Sequence, residues 1–479
     1  MEPDHLTLVS DLHLPRRTAI QGLAACLAAG MTGCAGEAKP PADLPEAPAS
    51  FRETETSARS PTAVPPNDNW WKAFGDPVLD ALIERVNRRN WSIKLAAARL
   101  ALARAAVRSS FASRMPRIGA YANASRQDGP LTNAAGSSGP LYVIATNLSY
   151  EVDLFGRLAR ETQATQLDAA QRESLVRAAT LLAQADTAEA YFNLRGVDAE
   201  RAIVRGAAES QAKSAALMQG MVTSGLTPEL ALVRLRAEFE SVASEALTLD
   251  RRRAELEHAL SVLVGEPAST FRIVELRQDS TLPAIPPGIP ARVLVRRPDV
   301  GAARLAMLAA MKRVGVAKDS WLPNLTLTAL GGFASPAIGS LLTAAAGATG
   351  VGALLAIPLF DGGQYLARVE GANATLDAAA AEYAQKTLEA IKDVEDQLAG
   401  LRILTAQEAV LTNATEAARR TSALVESNYR NGVASQLELL DAQRTELRIE
   451  RRALQVRAAQ FQTSVGLIRA LGGGWDSTA

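Results

Sequence analysis

The sequence predicts a mainly α-helical chain, built as two tandem copies of one long helical hairpin, with four short β-strands that supply part of a membrane β-barrel. Three observations carry this. First, adding 207 to landmarks of the first half lands on equivalents in the second: Pro116 on Pro323, Gly156 on Gly363, Gly225 on Gly432 and Gly265 on Gly472. One ungapped offset linking four turn residues marks a duplication. Second, each half holds a very long Ala-, Leu-, Glu-, Arg- and Gln-rich stretch, composed of strong helix formers. Third, each half also holds two segments in which apolar residues recur with period two, the mark of strands.

Composition narrows the class. Lys+Arg 51 balances Asp+Glu 51, so no basic field points to nucleic acid as a partner. The two cysteines, Cys26 and Cys34, lie near the N-terminus, and His5, His13 and His258 are the three histidines. The body therefore offers neither a disulfide framework nor a Cys/His metal set. It shows no phosphate-cradling glycine loop. The expectation is a protein that is not an enzyme and uses no cofactor or metal.

In chain order, residues 1–33 read as a lipoprotein-type export signal: Arg16-Arg17 precede the apolar run AIQGLAACLAAGMTGC. Cys34, after small residues, is the expected lipid anchor, with Cys26 as the alternative. Residues 34–69 carry seven prolines (40, 41, 45, 48, 61, 65 and 66), which exclude a helix and predict an extended tether. The first copy is assigned to 70–288, the second to 289–473, and 474–479 to a short tail.

Trp70, Trp71 and Phe74 are expected to pack into the body. Asp76 is a candidate N-cap, with Pro77 at the first helical position. A second helix is placed from about Ser92, whose repeat partner is Asp299, both being good N-cap residues. Then come the strands. Ile118, Ala120, Ala122 and Ala124 share one face. Tyr142, Ile144, Leu148, Tyr150 and Val152 follow. In the second copy the series is Leu325, Leu327 and Ala329, then Val351, Leu355, Ile357 and Leu359. About ten residues per strand spans a bilayer when tilted. Four strands cannot close a barrel, and open edges are not tolerated in lipid, so several chains must share one. Two chains would supply eight strands and three would supply twelve.

The long arms follow. Arg157 to Val222 is 222 − 157 + 1 = 66 residues, and Gln364 to Asn431 is 431 − 364 + 1 = 68. Each is roughly 100 Å as one helix. Gly225 and Gly432 are the expected tip turns. The return arms carry heptad seams: Leu235, Val242, Leu249, Leu256 and Leu263 in the first, and Leu440, Leu447, Leu454, Phe461 and Ile468 in the second. Pro283, Pro286, Pro287 and Pro290 make an extended crossover between the copies.

Five stretches together resemble a known family: WWKAFGDPVLDALI (70–83), LSYEVDLFGRLAR (148–160), IPPGIPARVLVRRPDV (285–300), IPLFDGGQ (357–364) and YRNGVASQLELLDAQR (429–444). The chain resembles the TolC-like outer-membrane efflux proteins, and among them the lipid-anchored OprM/NodT-type channels, over residues 67–473. The resemblance implies a homotrimer with a shared twelve-stranded outer-membrane β-barrel, continued by an α-helical barrel through the periplasm. It implies a passive duct for small toxic or amphipathic compounds, with a periplasmic adaptor, an inner-membrane transporter of the RND type and outer-membrane lipid as partners. It places Tyr429, Glu438 and Asp441 at a closed periplasmic gate, where three Asp441 carboxylates would converge and favour cations. Ala434 stands where the family's namesake has a gate arginine. The alternatives are a channel of type I protein secretion and a periplasmic coiled-coil scaffold without a pore.

Overall fold

Residues 44–54, 69–127, 139–275, 280–286, 288 and 290–473 are described in the computed structural model. Cys26, Cys34 and the tail 474–479 lie outside them. The elements are α1 (Pro77–Arg89), α2 (Trp91–Ala112), β1 (Arg117–Gln127), β2 (Gly139–Val152), α3 (Arg157–Thr223) and α4 (Glu229–Val264) in the first half. Then come α5 (Pro290–Arg296), α6 (Pro298–Asp319), β3 (Asn324–Ser335), β4 (Gly347–Ala356), α7 (Gln364–Arg430) and α8 (Gln436–Ala470). The duplication is visible in the boundaries. Both α3 and α7 have 67 residues, and their starts lie 364 − 157 = 207 apart. At 1.5 Å per residue each is about 100 Å long.

The repeated glycines end helices. Gly225, Gly265, Gly432 and Gly472 all adopt positive φ, between 71° and 93°. At each, the glycine N–H and the following N–H fold back onto the last helical turn; Leu226 N bonds Met221 O at 2.9 Å and Val433 N bonds Asn428 O at 2.8 Å. This is the left-handed C-terminal motif that an L side chain resists.

The starts were less legible. Asp76 caps α1 as expected, accepting from Val78 N and Leu79 N at 2.9 and 3.2 Å. Ser92 and Asp299 are not N-caps. Asn90 caps α2, its side chain accepting from Ser92 N and Ile93 N. At α6 the cap position is Arg297, and Asp299 lies in the first turn, bonded to the Arg297 guanidinium at 2.7 Å. Pro298 at N1 makes a capping side chain less necessary, because its missing N–H needs no partner.

The four strands form one antiparallel sheet in the order β1-β2-β3-β4. The register places Ile118 opposite Leu148, Leu148 opposite Ala329, and Ala329 opposite Val351. The apolar face expected from each strand alone is therefore continuous across the sheet. On the other face Gly332 has no room for a side chain: a Cβ there would lie 2.3 Å from Ile144 O and 2.5 Å from the Ala145 Cα. Two details differ from expectation. β2 runs for 14 residues rather than about ten. β4 stops at Ala356, so Ile357 and Leu359 lie beyond it; Pro358 cannot donate to a ladder.

The core lies near mid-length of the long helices. Phe74, Phe192 and Phe461 meet there, with ring centroids 4.9 Å (Phe74–Phe192) and 4.8 Å (Phe192–Phe461) apart. They come from the segment before α1, from α3 and from α8, so one aromatic cluster joins both copies. Trp70 and Trp71 are buried in the same cluster. Asp76 adds a polar hub, accepting from Tyr191 Oη at 2.7 Å and Ser280 Oγ at 2.8 Å. Burial, with that hydrogen bond to Asp76, pushes the Tyr191 phenol well above its ordinary range.

The crossover is fastened by buried charge. Arg195 donates to Val274 O at 2.9 Å, Arg253 to Ile273 O at 2.8 Å, and Glu257 accepts from Ile273 N at 2.6 Å. Asp198 joins the two guanidinium groups from beneath. The tether also docks. Phe51 is buried beside Val394 and Leu467, and Glu395 accepts from the backbone of Arg52 at 2.7 Å. The first seam is buried toward the tip at Leu235, Val242 and Leu249, but near its C-terminal end burial passes to Leu260 and Val264, because a seven-residue repeat drifts on a 3.6-residue helix; the second is buried at Leu440, half-buried at Leu447 and Leu454, and buried again at Phe461 and Ile468.

Candidate functional site

Two surfaces are built for work: the sheet face and the pair of hairpin tips. On the sheet, Ile118, Ile144, Leu327, Val351 and Leu355 are all exposed, a contiguous apolar surface. β1 and β4 are edge strands of the four-stranded sheet, each paired on one side. An apolar face with open edges is unstable in water and needs both lipid and further strands.

At the other end, about 100 Å away by helix length, α3 turns into α4 around Gly225 and α7 turns into α8 around Gly432. The tips expose apolar side chains at matching positions. Leu217 and Leu424, Leu226 and Val433, and Leu230 and Leu437 are three pairs related by the 207 offset, and each of the six side chains is at least 59% exposed. Exposed leucine is common, but the same three positions exposed in both copies are a designed surface.

The start of α8 separates the residues assigned to a gate. Ser435 and Glu438 form a capping box: the Glu438 carboxylate accepts from Ser435 N at 2.6 Å, and Ser435 Oγ accepts from Glu438 N at 3.3 Å. The Ser435 N–H holds the Glu438 carboxyl below its ordinary range. Glu438 is therefore occupied at the helix start. Its spacing, Ser-x-x-Glu, was readable as this motif. Asp441, one turn further, is exposed and accepts no hydrogen bond among the described residues. Tyr429 is half-buried; its carbonyl accepts from Gly432 N at 3.0 Å.

Neither acid holds Arg444. That guanidinium crosses to the first hairpin and bonds Glu238, a buried carboxylate of α4, at 2.7 Å through Nε. One heptad on, Arg451 bonds Glu200 of α3 at 2.8 Å through Nε and also pairs with Glu245 of α4. Gln436 Nε2 donates to Ala231 O at 3.2 Å. These links join the two halves of one chain along the tip arms. No signal in the sequence pairs them, since their partners are 205 to 251 residues apart.

Among the described residues, no cluster of His, Cys, Asp and Glu could hold a metal ion. No described helix is long and apolar enough to cross a membrane. His258 is exposed on α4. The working parts are thus an apolar, incomplete sheet, a rigid helical shaft and a shaped tip, the parts of a membrane-inserted conduit subunit.

Comparison with known proteins agrees. The chain belongs to the outer membrane efflux protein family, whose model matches residues 82–266 and again 289–473, one match on each copy. It is 28% identical over 456 residues to the "Cation efflux system protein CusC" of Escherichia coli O6:H1, covering 94% of this chain and 98% of that protein. It is 28% identical over 446 residues to the "Probable efflux pump outer membrane protein TtgC" of Pseudomonas putida, covering 91% of this chain and 92% of that one. The solved outer-membrane channel OprN superimposes with a TM-score of 0.83 at 28% identity, covering 92% of this chain and all of that chain.

Proposed function

We propose that the protein is the outer-membrane duct of a tripartite efflux pump, assembled as a homotrimer and passively conducting small toxic or amphipathic compounds. One observation carries this: the copies of the repeat are joined on one side only. Within the chain, α3 of the first copy packs on α6 and α8 of the second, and β2 pairs with β3. The equivalent partners of α7 and β4 are α2, α4 and β1; among the described residues β4 does not pair with β1, and α7 does not pack extensively on α2 or α4. Further copies supply them and close the ring.

Charge supports the match. α2 carries Lys94, Arg99, Arg104 and Arg108 and no acid, all exposed, while the N-terminal part of α7 exposes Glu370, Asp377 and Glu382. Three copies give 3 × 4 = 12 strands, whereas an eight-stranded barrel is filled by its own side chains and leaves no duct. The repeated tip leucines and Val433 would present six equivalent apolar contacts around the ring, suited to a periplasmic adaptor with its own repeated tip. Beyond the adaptor, the resemblance calls for an RND-type inner-membrane transporter to supply the energy. The names of CusC and TtgC, for cations and an efflux pump, agree with such a system.

At the tip, three Asp441 carboxylates are placed around the closed entrance, with Tyr429 and the Glu438-capped start of α8 beside them. Their mutual field attracts cations. Because Glu438 also caps α8, the clean variant is Asp441→Asn. Planar-bilayer recordings should show cation selectivity lowered and resting conductance changed; wild-type selectivity and conductance from correctly assembled Asp441→Asn would place the acid outside the pore.

Lipid anchoring is assigned to Cys34, followed by the tether that Phe51 docks on the body. Cys34→Ser should abolish metabolic lipid labelling while the barrel still inserts, since the apolar sheet face provides most of the membrane affinity. Labelling that persists would move the anchor to Cys26 or remove it.

A further inference from the structure

We infer that each copy carries one peptide-docking groove, and that the groove takes an extended segment with Pro-Ala-Ser followed, directly or after one residue, by Phe-Arg. The chain supplies two such segments, the crossover for the first copy and the N-terminal tether for the second. The tether is therefore a bound peptide ligand of the second copy and not a passive spacer. Each groove lies within one chain and does not depend on the homotrimer.

The duplication identifies the grooves. Phe51 is buried with Val293 of α5, Val394 of α7, and Leu467, Ala470 and Leu471 at the end of α8, beside Leu398 and Leu401. Subtracting 207 from Val293, Leu467, Leu471, Leu398 and Leu401 gives Val86, Leu260, Val264, Tyr191 and Leu194. All five belong to the core cluster that buries Phe271 of the crossover. Arg85, whose guanidinium lies 5.3 Å from the centre of the Phe271 ring, has Arg292 as its repeat partner. One apolar groove was copied with the repeat, and a phenylalanine from outside the long helices fills it both times.

The two occupants match as well. The tether reads Pro48-Ala49-Ser50-Phe51-Arg52, and the crossover reads Pro267-Ala268-Ser269-Thr270-Phe271-Arg272. Their phenylalanines lie 271 − 51 = 220 residues apart, outside the 207 offset, so the register of the long helices does not account for the likeness. In both, backbone N–H groups just past the phenylalanine meet a carboxylate. Arg52 N and Glu53 N donate to Glu395 at 2.7 and 3.2 Å, and Ile273 N donates to Glu257 at 2.6 Å. A repeat-related arginine then holds each segment: Arg195 donates to Val274 O and Arg402 to the Glu53 carboxylate, both at 2.9 Å. The depth of fastening differs. The Arg195 side chain is 2% exposed and that of Arg402 46%. An exposed ion pair contributes little, so the buried Phe51 ring supplies most of the tether's hold. The crossover is locked by buried charge, whereas the tether can be released.

Thiol protection in the full-length, detergent-solubilised protein tests this. Ala470→Cys puts a small thiol in the second groove, and Ala188→Cys puts one in the core of the first copy. Maleimide labelling at each site, followed by mass spectrometry, should be slow. Adding Phe51→Ala should speed labelling at 470 on the order of a hundredfold, the effect of removing a buried phenyl, and leave labelling at 188 slow. A synthetic peptide of residues 44–54 should then restore protection at 470, and so should a peptide of residues 267–274. The same peptides with alanine for phenylalanine should not. A thiol at 470 that stays protected in Phe51→Ala overturns the docking role of the tether. Failure of both peptides overturns the groove, and failure of the crossover peptide alone overturns the shared motif. Should Phe51→Ala not fold, Phe51→Leu carries the same comparison with a smaller acceleration, and an unaccelerated thiol there counts equally against the proposal. Glu53→Cys with Arg402→Cys, joined by a reducible bismaleimide, should give an internal link on denaturing gels. Linked multimers would assign the groove to a neighbour's tether and overturn the choice of occupant.

Discussion

Phe461→Ala should be the most damaging single truncation in the helical body. Its ring is 1% exposed and stacks on Phe192 with centroids 4.8 Å apart, and Phe74 closes the cluster at 6.2 Å. These rings come from the first segment of the body, from α3 and from α8, so no single element can relax to fill the space left. Truncating a buried Phe typically costs about 3–5 kcal/mol. Three copies would each bear that cost in one assembly. Thermal unfolding of the detergent-solubilised protein, followed by loss of the assembled band, should shift well below wild type. An unchanged transition would mean that this cluster does not hold the two copies together.

Leu447→Asp should be nearly as severe, by a different route. Leu447 projects from α8 into the cluster of Val197, Val204, Val242, Ala246 and Leu249 on α3 and α4. A carboxylate there loses the apolar contact, and the neighbouring Arg444 and Arg451 are already bound to Glu238 and Glu200. Leu447 is half-buried, so its loss should cost less than the roughly 2–5 kcal/mol of a fully buried leucine, to which the cost of the charge is added. Assembly should fail, whereas Leu447→Met should assemble, because it keeps the volume and adds no charge. Normal yield of the Asp variant in native mass spectrometry would show that this seam faces solvent.

Much of the architecture was written locally. The glycine pairs at 225 and 432, and at 265 and 472, are read from sequence because a left-handed helix end favours glycine. The strand faces were readable because side chains alternate with period two, so Ile118, Leu148, Ala329 and Val351 could be assigned to one side before their pairing was known. The N-caps at Asn90 and Arg297 were missed, although a boundary within two residues was found, because several adjacent polar residues could each have served. The gate assignment was partly legible. Ser435 and Glu438 spelled a capping box, yet Glu438 was read only as a gate acid. Asp441 accepts no hydrogen bond among the described residues, and Arg444, one turn further along α8, reaches Glu238 on another helix instead.

By itself, then, the sequence determined what depends on near neighbours and on the repeat: two copies, two 100 Å hairpins, their turns and an apolar face on each strand. Tertiary structure decided which distant groups meet. It paired Arg444 with Glu238 and Arg451 with Glu200, gathered three phenylalanines around one point, bound the crossover through Arg195 and Arg253, and left the second copy's outer contacts unfilled. The physical reason is range. Helix ends, capping boxes and strand alternation are set within a turn or two of chain, where spacing is a sufficient description. An ion pair across more than 200 residues depends on how two long helices are rotated against each other, and no periodicity in either helix records that angle.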